Sequence, residues 1–279
     1  MAVNACNAEG LSAKCYSQYF HPQGFKMLND LKDKRVLITG ASTGIGAAAA
    51  LAFGQLGARV AVHFNKHGDA AEAVCAAIIK AGAKAITVRG DLAANGVAGR
   101  VVEESAAGLG GLDILVNNAG SLISRRPFLE IDRQLYDDVM NLNVLPVIEA
   151  SQAALPHMVK TGAGAIVNVG SIAGNDGGGP GSGHYASAKA YIHNLTRHMA
   201  RDLAAKNIRV NAIAPGVIET AFHAATPPER MDVMRKAVPL GRAGRPEDCA
   251  GPIIFLSSTS MGGYITGQFL HVNGGQLMP

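Results

Sequence analysis

The sequence predicts an α/β fold in which a doubly wound parallel sheet is covered by helices on both faces. Short runs of continuously apolar residues, such as 36–38 and 114–116, are typical of strands that are buried on both faces. Helical segments separate these runs, so strand and helix alternate along the chain, and this alternation requires parallel strands joined by crossovers. Glycine-rich turns follow several of the strands, as in the phosphate-binding turns of such sheets.

The composition supports a large core. Of the 279 residues, 48% are apolar and 16% are charged, and no linker divides the chain. We therefore expect a single dinucleotide-binding catalytic domain over residues 31–279. Residues 1–26 have neither the pattern of a signal peptide nor that of a core segment, so an N-terminal extension is expected over residues 1–30.

Charge, cysteine and histidine patterns exclude several classes of protein. The net charge of +4 is scattered, which argues against nucleic-acid binding but suits an anionic ligand. The four cysteines have no paired or metal-like spacing, so free thiols in the cytoplasm are expected. The nine histidines form no metal-binding motif, and no apolar run reaches the roughly 18 residues of a membrane span. We expect neither a metal nor a membrane partner.

The first strand–helix unit predicts a phosphate-binding turn. An apolar strand at 36–38 is followed by Gly40, Gly44 and Gly46 and then by an alanine-rich helix that ends near Gly57. Glycines allow a sharp turn and close approach to a diphosphate, and the helix amino end offers free N–H groups and a positive dipole. Three glycines alone could also form a plain turn between a strand and a helix. Their position between this strand and this helix, with further strand–helix units to follow, favours the phosphate-binding turn.

The second strand, at 59–63, predicts the cofactor. In dinucleotide folds an acid after this strand binds the ribose 2′-hydroxyl and repels a 2′-phosphate. Residues 64–67 read Phe-Asn-Lys-His and contain no acid. This favours NADP, with Asn65 and Lys66 as phosphate contacts, while NAD remains possible and the loop could instead be simply solvated.

The remaining elements continue the alternation. A long helical stretch should be kinked or broken near Pro146 or Pro156, and the segment 220–239 is either a mobile lid over the site or a plain surface helix. The other strands are predicted at 85–89, 113–116, 165–169, 209–214 and 269–272, and the helices at 69–81, 97–107, 132–160, 185–205 and 246–256. In such sheets ligands bind at the carboxyl ends of the strands.

The stretch 171–189 predicts a proton-transfer site at the end of the fifth strand. Tyr185 and Lys189 are four residues apart, so they share one helix face, and Ser171 faces them across a glycine-rich loop. Tyrosine has a pKa near 10, and lowering it to about 7 needs roughly 4 kcal/mol. A lysine charge at about 5–6 Å supplies roughly 3 kcal/mol. His184 either points into the pocket or packs as a structural residue.

Five motifs in register resemble one known family. TGASTGIG at 39–46, NNAG at 117–120, YASAK at 185–189, PGVIET at 215–220 and HVNGG at 271–275 follow the order of the compact short-chain dehydrogenases/reductases. The resemblance runs from about residue 34 to the end, and it is greatest to the 3-oxoacyl-carrier-protein reductases and their relatives. Thr43 departs from the arginine that many NADP-using relatives carry there.

The resemblance implies a Rossmann-type sheet of seven strands in the order 3-2-1-4-5-6-7. It implies that Tyr185 is the general acid or base, that Lys189 holds the nicotinamide ribose, and that Ser171 orients the substrate carbonyl. Asn143, in preference to Asn141, would position a water for proton relay. The implied cofactor contacts, together with those from the turn and the second strand, are Gly40, Ser42, Thr43, Gly44, Ile45, Gly46, Asn65, Lys66, Asp91, Leu92, Asn118, Ala119, Gly120, Tyr185, Lys189, Pro215, Gly216, Ile218 and Thr220.

The expected activity is the NADP-dependent interconversion of a ketone, as the small-molecule substrate, and a secondary alcohol, with a 3-oxoacyl-type carbonyl favoured. The alternatives are an NAD-dependent alcohol or sugar dehydrogenase and a catalytically idle cofactor-binding scaffold of the same fold. The resemblance also implies a homotetramer built on two long helices and the last strand. The helix face with Tyr191, Ile192, Leu195 and Met199 could belong to that interface or to the core.

Overall fold

The computed structural model describes residues 29–223 and 226–279, and its centre is a seven-stranded parallel sheet. The strand order is β3-β2-β1-β4-β5-β6-β7, which confirms the predicted fold class. The strands are β1 Arg35–Ile38, β2 Arg59–Phe64, β3 Ala85–Arg89, β4 Ile114–Asn117, β5 Gly164–Val169, β6 Ile208–Pro215 and β7 Phe269–Val272.

Two layers of helices cover the sheet because its strands are apolar on both faces. In β1, Val36 and Ile38 point into one core cluster and Leu37 into the other. Helices α1, α2 and α9 pack on the first face, and α3, α5 and α7 pack on the second. The helices are α1 Gly44–Gln55, α2 Gly68–Lys80, α3 Val97–Leu109, α4 Arg133–Asn143, α5 Leu145–Thr161, α6 Ala173–Asp176, α7 Gly183–Leu203, α8 Pro228–Lys236, α9 Pro246–Ser257 and α10 Thr259–Gly262.

The sheet has a switch point between β1 and β4. Strand β1 pairs with β2 on one side and with β4 on the other, with Val36 beside Ile114. The chain therefore leaves β1 and β4 in opposite directions, and a crevice opens outside their carboxyl ends. This crevice is where the sequence places its motifs.

The long helical stretch breaks where proline requires it. Helix α4 ends at Asn143 and α5 begins at Leu145, with Pro146 in its first turn, where a missing N–H costs nothing. Pro156 stays inside α5, so the predicted break occurs near the first proline only. Helix α7 begins at Gly183, two residues before the predicted start.

Most of the predicted N-terminal extension, residues 1–30, lies outside the described residues. Its last two residues form a 3-10 turn with Leu31 (Asn29–Leu31), and Leu31 is buried in the core. Asp30 accepts hydrogen bonds from the Ser258 hydroxyl and from the backbone N–H of Thr259 and Ser260. The boundary near residue 30 therefore falls inside a docked turn. No described helix has the length and apolar character needed to cross a membrane.

Candidate active site

A cleft of about 930 Å³ opens at the carboxyl ends of the strands. It collects nearly all of the residues that the sequence assigns to catalysis or cofactor binding. These are Gly40, Ser42, Thr43, Gly44, Ile45, Asn65, Lys66, Asp91, Leu92, Asn118, Ala119, Gly120, Ser171, Tyr185, Lys189, Pro215, Gly216, Ile218 and Thr220. Gly46 and Asn143 belong to the same assignment but do not line the cleft, so their contributions are indirect.

The glycine turn is shaped by close approaches of the backbone. Gly40 and Gly44 have φ of +63° and +57°, which glycine adopts without strain. A Cβ on Gly46 would overlap the Gly40 carbonyl oxygen and lie 2.6 Å from Asn118 Nδ2. Asn118 Nδ2 in turn donates to Thr39 O at 2.8 Å and Gly40 O at 3.1 Å. Gly46 therefore serves packing of α1 against the turn, and Asn118 braces that turn.

His63, at the end of β2, is a site residue that the motifs did not indicate. Its Nδ1 accepts from the Gly40 N–H at 3.0 Å, so its Nε2 carries the proton that it shares with Gly90 O at 3.1 Å. Burial lowers the pKa of His63 to about 4, so the ring is neutral and holds the glycine turn against the end of β3. A polar residue within the apolar run RVAVHF was the available signal.

The loop after β2 has the composition expected for a phosphate contact. Asn65 and Lys66 both line the cleft, and the Lys66 side chain is exposed. Arg89 Nε donates to the Asn65 carbonyl oxygen at 3.3 Å, which adds a second positive charge beside this loop. A charged, solvated lysine at the cleft wall can meet an anion without prior desolvation.

Ser171, Tyr185 and Lys189 meet where β5 ends and α7 begins. Lys189 is buried, and its Nζ donates to Val169 O at 2.8 Å, which fixes the side chain at the end of the strand. The same Nζ lies 5.7 Å from the centre of the Tyr185 ring. Ser171 Oγ accepts from the Ala173 N–H at 3.2 Å and lines the same wall. One helical turn and one strand end therefore bring the three groups together.

Burial sets the protonation of this pair. It raises the pKa of Tyr185 to about 12, with a hydrogen bond from Ser171 opposing the shift, and it lowers the pKa of Lys189 to about 8. The expected lowering of the tyrosine pKa is therefore wrong for the chain by itself, because desolvation outweighs the opposing hydrogen bond. At neutral pH the phenol keeps its proton, which is the state that a general acid needs.

Asn143 lies behind Lys189 in the protein interior. Its Oδ1 accepts from the Ser121 N–H at 3.1 Å, and its Nδ2 donates to Ser121 O and Val139 O at 2.9 and 3.0 Å. A Cβ on Gly120 would lie 2.7 Å from Asn143 Oδ1 and 3.3 Å from Lys189 Nζ. Asn141 is exposed on the other side of α4, so the geometry favours Asn143 as the asparagine near the lysine.

The wall beyond Tyr185 is formed by residues that no motif indicated. The Phe222 ring lies 5.6 Å from the Tyr185 ring, and Arg125, His223 and Arg230 also line the cleft. These residues come from loops and from α8, where no fixed spacing exists to identify them. His184 packs as a structural residue: its Nε2 donates to Ser124 O at 2.9 Å, and it does not line the cleft.

The segment that was predicted as either a lid or a surface helix lies along this wall. It forms a 3-10 turn, Ala221–His223, and helix α8, which has no buried residue. Arg230, Val233 and Met234 of α8 face the cleft. Of the intervening residues, 224 and 225 lie outside the described part, and the mobility of the segment stays a prediction.

Comparisons with known proteins agree with this geometry. The family model described as Enoyl-(Acyl carrier protein) reductase matches residues 40–276. The chain is 37% identical over 246 residues to the 3-oxoacyl-[acyl-carrier-protein] reductase FabG of Staphylococcus epidermidis, covering 88% of this chain and 100% of that protein. It is also similar to a short chain dehydrogenase from Burkholderia cenocepacia J2315 in complex with NADP, with a TM-score of 0.83, 35% identity, and coverage of 88% and 99%. A third relative is a 7α-hydroxysteroid dehydrogenase complexed with NADH and 7-oxo glycochenodeoxycholic acid, with a TM-score of 0.83, 36% identity, and coverage of 88% and 96%.

Proposed function

This chain belongs to the short-chain dehydrogenase/reductase family, and we propose that it is an oxidoreductase that reduces a ketone to a secondary alcohol with NADPH. One observation carries the proposal: a serine, a protonated tyrosine and a buried lysine share one wall of a cleft whose other wall is a glycine turn. That arrangement supplies a proton donor opposite a site for a dinucleotide phosphate.

The glycine turn and the strand ends fit a nicotinamide dinucleotide. The amino end of α1 offers free N–H groups to the pyrophosphate, and a Cβ on Gly44 would lie 3.1 Å from Thr220 Cγ2 and narrow the cleft there. We assign Asp91 to the adenine, Lys66 with Asn65 to the 2′-phosphate, and Ile218 with Thr220 to the carboxamide. The lack of an acid after β2 favours NADP, while Thr43 lacks the arginine charge that would strengthen that preference.

A nicotinamide cofactor held at the glycine turn and the strand ends would supply the hydride for the carbonyl carbon. Ser171 donates a hydrogen bond to the carbonyl oxygen, which orients it towards Tyr185. As negative charge develops on that oxygen, the Tyr185 hydroxyl gives up its proton and the alcohol forms. Lys189 stabilises the resulting phenolate across the short distance to the ring, and solvent protons return by way of Lys189, with Asn143 holding a relaying water. In the oxidation direction the same tyrosine accepts the proton.

The substrate class is supported by the relatives. Several curated relatives are named 3-oxoacyl-[acyl-carrier-protein] reductases, and one structural relative holds a 7-oxo acid beside NADH. We therefore propose a 3-oxoacyl-type carbonyl as the substrate. One alternative is an NAD-dependent alcohol or sugar dehydrogenase, which would use the same hydride-transfer chemistry. The other is a cofactor-binding scaffold of the same fold that has no catalytic activity.

The test is a parallel titration with NADPH and NADH, followed by nicotinamide fluorescence, and then turnover of ethyl acetoacetate and of an acetoacetyl thioester. We expect tighter binding of NADPH and oxidation of one NADPH per alcohol formed. Tighter binding of NADH together with alcohol oxidation would support the dehydrogenase instead. Tight cofactor binding with no turnover of either 3-oxo substrate would support the scaffold.

We also propose a homotetramer located in the cytoplasm, with residues 31–279 as one domain after the extension at 1–30. Strand β7 lies at the edge of the sheet and exposes part of Leu270, and Tyr191 of α7 is also exposed, which supports an interface there. Ile192 of the same helix lies in the core. The described cysteines, Cys75 and Cys249, are free thiols. Light scattering and cell fractionation test the two proposals, and a monomer at micromolar concentration would refute the first.

A further inference from the structure

We propose that the substrate carries an anionic group, a carboxylate or a phosphate, several bonds from its reacting carbonyl, and that Arg125 and Arg230 hold this group. The inference rests on the proposed ketone reduction and narrows its substrate class. It is drawn from the wall of the cleft beyond Tyr185, which the proposed mechanism does not use.

The two arginines flank the loop that leads to the catalytic tyrosine. Arg230 Nη2 lies 3.3 Å from where a Cβ on Gly179 would be, and Arg125 Cβ lies 3.2 Å from the corresponding position on Gly181. Both side chains line the same cleft as Tyr185. The glycine turn and Lys66, which suit the phosphates of the cofactor, belong instead to the carboxyl ends of β1 and β2. An anion between the arginines would therefore belong to the substrate.

Arg125 is held in place by the loop itself. Its Nη1 donates to Pro180 O at 3.2 Å, and the neighbouring Arg126 N–H donates to Gly181 O at 3.0 Å. On the other side, the carbonyl of Ser124 accepts from His184, the residue before Tyr185. These three contacts fix the arginine relative to the tyrosine, as a residue that positions a substrate requires.

The backbone before Arg125 is strained. Ile123 has φ of +64°, a left-handed conformation that is a genuine outlier for a β-branched residue. Its N–H donates to Ser121 Oγ at 3.0 Å, which helps to hold this conformation. Strain of this kind persists where surrounding structure imposes it and is concentrated at functional sites. Here it turns the chain so that Arg125 reaches the cleft.

No described residue neutralises the positive charge on this wall. Among the residues at 29–223 and 226–279, no carboxylate lies within 4.0 Å of the Arg125 or Arg230 guanidinium. Asp176 lines the cleft but accepts from the Gly178 N–H at 2.8 Å. Burial and the charge of Arg230 lower the pKa of Arg125, and burial and the charge of Arg125 lower the pKa of His223. A bound anion would relieve both repulsions.

An apolar side chain lies beside the proton donor on this wall. The Phe222 ring lies 5.6 Å from the Tyr185 ring and 5.2 Å from the His223 ring, so it places an apolar surface beside the proton donor on the wall that Arg125 and Arg230 also line. A substrate that reaches from the proton donor to the arginines needs an uncharged stretch beside Phe222. Anion recognition by fixed guanidinium groups is a charge-assisted contact of the stronger kind.

The test compares three ketones that share one carbon skeleton: 5-oxohexanoate, 5-oxohexyl phosphate and the uncharged methyl 5-oxohexanoate. We expect kcat/KM for at least one anionic probe to exceed that for the ester by tenfold or more. Arg125→Gln and Arg230→Gln should each lower the anionic value by about tenfold to a hundredfold, mainly through KM, and leave the ester within about threefold. The preferred anion identifies the carboxylate or the phosphate as the natural group.

Arg126→Gln is the matched control, since the Arg126 side chain is exposed, does not line the cleft and donates to the carbonyl of Arg125, while the backbone contact with Gly181 is kept in the variant. Equal turnover of acid, phosphate and ester by the native protein would overturn the inference while leaving ketone reduction intact. A preference that survives in both variants would also overturn it. So would a defect seen only with a 3-oxoacyl thioester on an acidic carrier protein, which would indicate protein docking.

If the native protein turns over none of the ketones, the proposed chemistry fails, and calorimetry of 5-oxohexanoate and 5-oxohexyl phosphate binding to the enzyme with NADPH decides the subsite. Binding that Arg125→Gln weakens supports it, and no binding of either anion overturns it.

Discussion

At one end of the central sheet the polar side chains are paired within the protein, and at the other end they face an open cleft. At the amino ends of the strands, Arg35 forms a two-pronged ion pair with Asp113, and Arg209 donates to Leu256 O, Gly262 O and Ser257 O at 2.7, 2.9 and 3.0 Å. At the carboxyl ends, Tyr185, Lys66 and Arg125 face an open cleft. The same parallel strands produce both ends.

The polar groups at the amino ends of the strands stabilise the fold, whereas those at the carboxyl ends are available to bind ligands. Arg209 closes the carboxyl end of α9 by meeting carbonyls that the helix itself leaves unpaired. At the opposite end, the unpaired N–H groups of α1 and the charges of the cleft wall are left for ligands. We therefore expect changes at the carboxyl ends to lower activity with little effect on stability, and changes at the amino ends to do the reverse.

The largest effect should come from Tyr185→Phe. Loss of the proton donor should lower kcat/KM by about 10³- to 10⁴-fold, the upper range for general acid catalysis. The Kd for NADPH and the Tm should stay near native values, because the ring and its contact with Phe222 remain. Steady-state kinetics and fluorescence titration measure the two quantities. Tyr191→Phe, on the exposed face of the same helix, is the control, and near-native turnover by Tyr185→Phe would refute the mechanism.

Arg209→Met should have the largest effect on stability. It leaves several carbonyls near the end of α9 without a donor, so the free energy of unfolding should fall by about 3 kcal/mol. Turnover at temperatures where the variant is folded should stay within about twofold, since the site lies at the other end of the strands. Urea unfolding and kinetics are measured together, with the exposed Arg201→Met as control. A large loss of kcat in a stably folded variant would contradict the expectation that changes at the amino ends of the strands affect stability and not activity.

Acid should destabilise the protein through histidines at the carboxyl ends. Burial lowers the pKa of both His63 and His193 from 6.5 to about 4. The unfolded chain therefore binds protons first, and stability present above pH 6.5 is lost as the pH falls towards 4. Each histidine should contribute up to about 3 kcal/mol to this loss.

Urea unfolding at pH 7.0 and 4.5 measures the effect. His63→Asn should flatten the slope over this range, whereas His198→Asn, at an exposed position, should not. An equal slope in the native protein and in His63→Asn would show that this histidine is not the titrating group. Free carboxyls begin to titrate at the lower end of this window, so the difference between the native protein and His63→Asn isolates the histidine. Burial alone would raise the pKa of Asp113, but its hydrogen bonds with Arg35 outweigh that effect and hold the pKa below its ordinary value.

The smallest effect should come from Lys66→Ala. Removing this exposed charge should weaken NADPH binding by about tenfold and leave NADH binding unchanged, because only NADPH has a 2′-phosphate for it to contact. Lys80→Ala, on the surface of α2, is the control. If the variant bound both cofactors equally more weakly, Lys66 would not contact the 2′-phosphate, and Arg89 would be the next residue to test.

Much of this architecture is determined by the sequence itself. The apolar runs that form β1 and β4, the glycines at 40, 44 and 46, and the four-residue spacing of Tyr185 and Lys189 each depend on local geometry. The apolar pattern of a strand, the backbone freedom of glycine and the repeat of a helix depend on residues close together in the chain. They can therefore be predicted without knowing what packs against them. The strand order agreed as well, through the resemblance carried by the five motifs.

Only the tertiary structure decided the rest. Arg125 meets the loop at Gly181, Phe222 meets Tyr185, and His63 joins Gly40 to Gly90, all across separations in the chain that have no fixed spacing. The protonation of Tyr185 was likewise decided by burial, which raises its pKa, whereas its spacing from Lys189 predicted a lowered pKa. Desolvation and loop contacts depend on the whole packed molecule, whereas a motif records only which residues lie near one another in the chain.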